Sequence, residues 1–162
     1  MKHTPDSVND IKKGRKYVFI QFFIIALVLV SVYVEKNYLN YDGIPFISSL
    51  GIIILSLGLI LLVITVVNFS QFITPNPMPL DSYRLRTKGI YSLIRHPMYF
   101  SIILIFSGFI IWQNAFVSIL LLVILIYFFL VKIDFEEKLL REKFKEYDEY
   151  INKTKKIIPF IY

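Results

Sequence analysis

Cysteine is absent from this 162-residue chain, and histidine occurs only as His3 and His96. The first absence excludes disulfides, thiolate metal sites and a catalytic thiol within these residues, and leaves no pointer to an oxidising compartment. The second removes a histidine-built metal cluster, so no metal site is expected. Charge is missing where it matters most: residues 44–67 are 24 residues without one Asp, Glu, Lys or Arg. Internal repeats are absent too.

Hydrophobic residues make up 56% of the chain and mean hydropathy is +0.63, above the roughly 45–50% apolar usage of soluble domains. The excess falls in four runs, at residues 17–34, 44–67, 98–111 and 116–131. A bilayer core of about 30 Å takes about 20 helical residues at 1.5 Å each. The first two runs satisfy that, the third is too short to cross alone, and the fourth is marginal. A cleaved signal peptide fits the first run poorly, because it ends in Val-Tyr-Val-Glu without a small-residue cleavage site. The expected fold is therefore all-α and integral to the membrane, with about four transmembrane helices.

Net charge is +6, but the basic residues sit between apolar runs and at the two ends. That distribution suits an anionic membrane surface and gives no stripe for nucleic acid, so no nucleic-acid partner is expected. Lys and Arg number five before Tyr17, one in residues 35–43, four in 68–97, none in 112–114 and eight from Lys132 onward. This alternation predicts a multi-pass protein with both termini cytoplasmic, in the cell inner membrane if the source is prokaryotic. One membrane domain is expected: two N-terminal spans in 1–67, a cytoplasmic loop in 68–97, a helical hairpin in 98–131 and a cytoplasmic C-terminal helix in 132–162. The 68–97 loop contains Pro75, Pro77 and Pro79, which force an extended path. Beyond the fourth run, Ile133, Leu140, Phe144, Tyr147 and Ile151 recur at helical spacing. Asp134/Lys138, Glu137/Arg141 and Glu149/Lys153 add i,i+4 charge pairs. An amphipathic helix continuing the fourth span and ending before Pro159 is the prediction.

Two polar segments are out of place for passive anchoring: residues 89–99, which enter the third run, and residues 134–138, which leave the fourth. From the outer turn, about 14 residues descend to Pro97, roughly 21 Å, and about 21 residues descend to Glu136, roughly 31 Å. Both groups thus reach the same side of the membrane, offset by about 10 Å before tilt. Pro97 suits the first helical position, and the amides that follow it form an anion site for a carboxylate. Glu136 or Glu137 can balance an ammonium, and Tyr91 and Tyr99 offer aromatic faces for stacking or for a sulfonium. A zwitterion with an extra cationic centre describes S-adenosylmethionine. Taken singly, each residue has a plainer reading: His96 as a helix cap, Glu136 and Glu137 as a solvated face, Tyr99 as packing.

Taken as an ordered series, Tyr83-Arg-Leu-Arg-Thr-Lys-Gly-Ile-Tyr91, then Arg95-His-Pro-Met-Tyr99, then Glu136-Glu137, then Phe144, Tyr147, Tyr150 and Pro159 resembles the isoprenylcysteine carboxyl methyltransferase family. The related phospholipid N-methyltransferases carry a similar core. The resemblance covers about residues 83–162. It implies an S-adenosylmethionine pocket contacted by Tyr83, Arg84, Leu85, Arg86, Tyr91, His96, Pro97, Met98, Tyr99 and Glu136, with His96, Tyr99 and Glu137 as candidate acid–base groups. A family arginine that contacts the acceptor carboxylate falls at Lys132, which keeps the charge without the bidentate fork. A family glycine falls at Ser101. The implied function is methyl transfer to a lipophilic or lipidated acceptor arriving from the bilayer, with membrane lipids as surroundings. A phospholipid N-methyltransferase or other lipid O-methyltransferase is the alternative. An NADPH-dependent membrane reductase and a non-catalytic membrane adaptor stand further off. The acceptor and the oligomeric state are left open.

Overall fold

The computed structural model describes residues 5–39, 43–69 and 85–161. Five α-helices carry the fold among the described residues: α1 (Pro5–Tyr38), α2 (Pro45–Phe69), α3 (Pro97–Gln113), α4 (Ile119–Lys143) and α5 (Tyr147–Lys153). Short 3-10 turns at Gly89–Ser92 and Phe116–Ser118 precede α3 and α4. Proline opens α1, α2 and α3, at the position where its missing N–H has no intrahelical partner to lose. Segments Asn9–Tyr38, Pro45–Asn68 and Phe116–Lys143 are long and apolar enough to cross a membrane, and Pro97–Gln113 is the shorter apolar helix. The chain is an all-α integral membrane protein. The basic residues Lys12, Lys13, Arg15 and Lys16 are helical too, because α1 starts well before the first apolar run.

The helices pack in the order α2, α3, α4, α1. On α1, Ile24, Val28 and Val32 meet Leu122, Leu125 and Phe129 of α4 and Ile110 of α3. Against α2 the contact is backbone to backbone. A Cβ added to Gly108 would lie 2.8 Å from the Gly51 carbonyl oxygen and fall on the Leu55 amide. One added to Gly58 would lie 2.7 Å from the Ile105 amide. Lipid gives no hydrophobic drive for two apolar helices to associate, so such close approach supplies the dispersion contact that holds them.

At one end, the α3–α4 turn is fixed by polar groups. Asn114 ends α3 in the left-handed conformation, φ 55°, which Asn tolerates best after Gly. Its side chain donates to Ser48 Oγ at 2.7 Å and accepts from the Ile44 amide at 3.3 Å. Glu35 of α1, only 3% exposed, accepts from the amides of Val117 and Ser118 at 2.9 and 3.0 Å and from Ser118 Oγ at 2.9 Å. A carboxylate there also meets the positive end of the α4 dipole.

The tail departs from the expected single helix. Helix α4 stops at Lys143, Phe144 turns extended (φ −119°, ψ 113°), and α5 runs back toward the bundle. No Pro or Gly forces this break. Leu140, Tyr147 and Tyr150 close on one another with Leu85, Phe144 and Ile151 around them, and that packing overrides helix propensity. The charge pairs are rearranged accordingly. Glu149–Lys153 forms as expected at 2.5 Å, but Glu137 pairs with Arg95, Asp134 with Lys156 and Arg141 with Asp148.

Because the Gly108 contact is with backbone, no side chain can move aside for a larger residue. Gly108→Leu is predicted to cost about 1–3 kcal/mol, read as a lowered thermal-unfolding midpoint in detergent. An unchanged midpoint would mean that α2 and α3 do not touch at this glycine.

Candidate functional site

At the other end of the bundle, the entry to α3 is assembled from three separate pieces of chain. Gly89 adopts φ +65°, a conformation open to Gly at little cost, and starts the 3-10 turn. Residues 93–96 then lie alongside the tail and are hydrogen-bonded to it, with Ile94 and Lys155 forming a parallel bridge. The Lys155 amide donates to the Leu93 carbonyl at 3.0 Å, the Arg95 amide to the Lys155 carbonyl at 2.8 Å, and the His96 amide to the Lys156 carbonyl at 3.0 Å. The Tyr150 hydroxyl adds a bond to the Tyr91 carbonyl at 2.6 Å. His96 occupies the N-cap of α3 without capping it through its ring, which leaves the imidazole for other work.

That ring points at two carboxylates. His96 Nε2 lies 3.1 Å from Glu137 Oε1, and Nδ1 lies 3.6 Å from Glu136 Oε2. Glu137 Oε1 also accepts from Arg95 Nε at 2.8 Å. Arg95 in turn donates to the carbonyls of Thr154 and Ile151 at 2.7 and 3.3 Å, at the C-terminal end of α5. Arg95, Glu137 and His96 are all buried, so this is a buried ionic network rather than a surface pair.

One turn further into the bundle sits a second polar group. The Tyr99 hydroxyl hydrogen-bonds Glu136, and its ring stacks at a tilt on Phe129, centroids 4.9 Å apart. Lys132 Nζ lies 5.4 Å from the Tyr99 ring centroid, within cation–π range, and donates to Gln21 Oε1 of α1 at 2.5 Å. Lys132 is 1% exposed. Glu136 Oε2 and the Tyr147 hydroxyl are buried with no hydrogen-bond partner among the described residues.

Of the residues expected from the sequence, His96, Pro97, Tyr99, Lys132, Glu136 and Glu137 come together here, with Tyr91 buried beside them. Met98 is half-buried in the first turn of α3, Leu85 packs in the Tyr147–Tyr150 cluster, and Arg86 is exposed. Tyr83 and Arg84 lie outside the described residues. The expected offset of about 10 Å between the two polar groups is replaced by direct contact. Helix α3 gains three residues over its apolar run, and the Phe116–Ser118 turn takes three from α4. Each helix then rises about 25 Å between the far turn and the site. Sequence reasoning gave no role to Arg95 or Gln21. A polar residue interrupting an apolar span was the available signal for Gln21.

Arg95→Ala removes the cation from a buried carboxylate and the donor from two carbonyls. A loss of about 3–5 kcal/mol is predicted, with faster amide exchange in residues 147–156 than elsewhere; uniform exchange would mean that Arg95 does not hold the tail. A pH effect follows from the tyrosines. Burial raises the phenol pKa of Tyr91, Tyr147 and Tyr150; Tyr150 and Glu136 add to the rise at Tyr91, and Glu137 adds to it at Tyr147. Their neutral forms thus contribute stability that is intact below about pH 10, the unfolded value, and is lost as pH rises above it. Thermal midpoints should fall above that pH, and less so in a Tyr150→Phe variant.

A family model described as phospholipid methyltransferase matches residues 46–147. Two rice proteins, from Oryza sativa subsp. indica and subsp. japonica, each named probable protein-S-isoprenylcysteine O-methyltransferase, are 37% identical over 90 residues. Protein-S-isoprenylcysteine O-methyltransferase B of Arabidopsis thaliana is 31% identical over 90 residues. The matched stretch is 50% of this chain but only 44% of the rice proteins and 42% of the Arabidopsis one, so the chain aligns with less than half the length of these relatives. The family match takes in α3, α4 and the carboxylates that face His96, and the chain belongs to the phospholipid methyltransferase family.

Proposed function

We propose that this protein is a membrane methyltransferase that uses S-adenosylmethionine and methylates a lipophilic acceptor carrying a polar end at the level of Lys132. The observation that carries the reading is the buried Glu136 Oε2, 3.6 Å from His96 Nδ1 and without a hydrogen-bond partner among the described residues. A carboxylate oxygen withdrawn from water is costly unless a donor completes it. The amino group of the methionine moiety is such a donor. Family membership and the names of the relatives favour methyl transfer over the reductase and adaptor alternatives.

The residues present fit that cofactor. Glu136 would hold the ammonium, and the first turn of α3, opened by Pro97 and Met98, offers the positive dipole end to the carboxylate. The Tyr99 face already accepts a cation, the Lys132 ammonium, and Tyr91 is the second aromatic at hand. When bound, S-adenosylmethionine supplies an electrophilic methyl group.

The chain's own contribution is orientation and exclusion of water. Glu137, occupied by Arg95, serves to fix the His96 ring, so His96 rather than Glu137 is the group able to take a proton from a phenol or amine acceptor. A carboxylate acceptor requires no base. Tyr99 positions Glu136 through its hydroxyl. Lys132 is the candidate contact for an anionic end of the acceptor, as a point charge. The relatives' names support carboxyl O-methylation of the isoprenylcysteine type, and the family description supports phospholipid N-methylation as the alternative. We also place the site end of the bundle, both termini and the 68–97 loop on the cytoplasmic side, on the strength of the Lys and Arg distribution. Residues 1–162 act as one methyltransferase-like domain.

Purified protein should bind S-adenosylhomocysteine in calorimetry and should not bind NADPH. Glu136→Gln should weaken that binding by about tenfold or more, since a charge-assisted bond becomes a neutral one, while the fold is retained. Absence of binding in a folded sample would end the proposal. Radiolabelled methyl transfer into a total lipid extract, followed by mass spectrometry, then identifies the acceptor.

A further inference from the structure

The C-terminal residues past the bridge to Ile94 form a compact turn whose apolar side chains face outward. Ile157 is buried in the core with Tyr99, Phe129 and Ile133, which fixes the start of the turn. The next residues do the opposite: Ile158 is 40% exposed, Phe160 82% and Ile161 75%. The turn is ordered, with the Ile161 amide donating to the Ile158 carbonyl at 3.2 Å. Phe160 sits at φ +66°, a left-handed conformation unfavourable for an aromatic residue with a Cβ. Holding a large apolar ring outward in that conformation serves no packing within the described residues.

Depth identifies what meets it. Helix α3 rises about 25 Å from the Asn114 turn to Pro97, which brings the 93–96 segment close to the boundary of a hydrocarbon core about 30 Å thick. Lys155 is hydrogen-bonded alongside Leu93, so the tail crosses the bundle at that same level, and Leu93 is itself exposed. Lys153, Lys155 and Lys156 come immediately before the apolar turn; Lys153 and Lys155 are exposed, and Lys156 is half-buried beside Asp134. Basic residues followed by outward aromatic and aliphatic ones suit the zone where headgroups give way to acyl chains.

We propose that residues 158–161 are an interfacial anchor, seating Ile158, Phe160 and Ile161 among the lipids of the leaflet at the site end. The anchor is wired to the site through backbone and packing, because the segment that leads into it carries the carbonyls of Lys155 and Lys156 that hold the Arg95 and His96 amides and the Ile157 side chain that packs with Tyr99. Lipid contact at the turn therefore sets the depth of the His96 ring relative to the bilayer. This inference depends on the chain being in a membrane and not on the methyltransferase reading.

The absence of cysteine makes the test direct. Phe160→Cys, Lys145→Cys and Phe23→Cys, all at exposed positions, are made in the full chain, nitroxide-labelled and placed in phosphatidylcholine–phosphatidylglycerol vesicles. Collision with oxygen, which concentrates in lipid, is compared with collision with a water-soluble nickel chelate. The oxygen-to-nickel ratio at position 160 should exceed that at 145 several-fold and approach that at 23 on the lipid-facing side of α1. A ratio equal to that at 145 would place the turn in water and overturn the proposal. Low collision with both reagents would place it under protein and overturn it equally.

Discussion

The arrangement at the site end depends on the ion pair between Arg95 and Glu137, 2.8 Å apart and buried on both sides. Removing two charges from water is expensive, and their attraction repays it only when the remaining donors and lone pairs are also met. Here the guanidinium Nη1 donates to the Thr154 and Ile151 carbonyls, and the carboxylate oxygen Oε1 is shared with His96. A well-packed apolar pair could match this network in stability. It could not tie three distant segments to one another in a single orientation. Arg95 precedes α3, Glu137 belongs to α4, and the carbonyls end α5, so the pair sets where these elements meet.

The far end works by the same logic with different donors. There Glu35 binds amides and a hydroxyl rather than a guanidinium, and Asn114 bonds Ser48 and Ile44. Between the two ends, glycines let α2 and α3 touch along their backbones. A helix slipped by one residue moves about 1.5 Å and turns about 100°, which would carry Glu136 away from His96. Pinning both ends and the middle removes that freedom. The 3.6 Å contact between these two residues is thus a property of the whole bundle, not of the motif that contains His96.

What could be read from the sequence divides along physical lines. The spans were legible because burial in lipid demands about 20 apolar residues in a row, and the chain has such runs. Pro97 at the head of α3 was legible because proline chemistry is local. The convergence of His96 with Glu136 and Glu137 was legible in outline from helix rise alone. The break after Lys143 was not, because Phe144 and Tyr147 fit a continuous helical face as well as they fit the packed cluster around Leu140. Nor was the choice of Arg95 by Glu137, since Arg141 sits at ideal helical spacing. Only the returning tail, three elements away in the fold, makes Arg95 the better partner. The glycine contacts at Gly51 and Gly108 were hidden for a related reason: glycine in an apolar run carries no sign of which neighbour approaches it.

Helix α1 shows how far the site extends beyond the family core. All of it precedes residue 46, where the family match begins, yet it provides Gln21 to Lys132 and Glu35 to the turn that opens α4. Hydrogen bonds between membrane helices contribute about 0.6 kcal/mol on average and reach about 1.7, which is modest for a helix that could be held by Ile24, Val28 and Val32 alone. Their greater effect is on rotation. An apolar face can slide or turn by a fraction of a residue at little cost, whereas Gln21 and Glu35, almost four turns apart on one helix, each have a partner at a fixed height, on α4 and on the turn that precedes it. Together they set the face that α1 presents, and that face includes the Gln21 amide bonded to the Lys132 ammonium. The position of the Lys132 ammonium is therefore set by α1 together with the Tyr99 ring of the motif-bearing half.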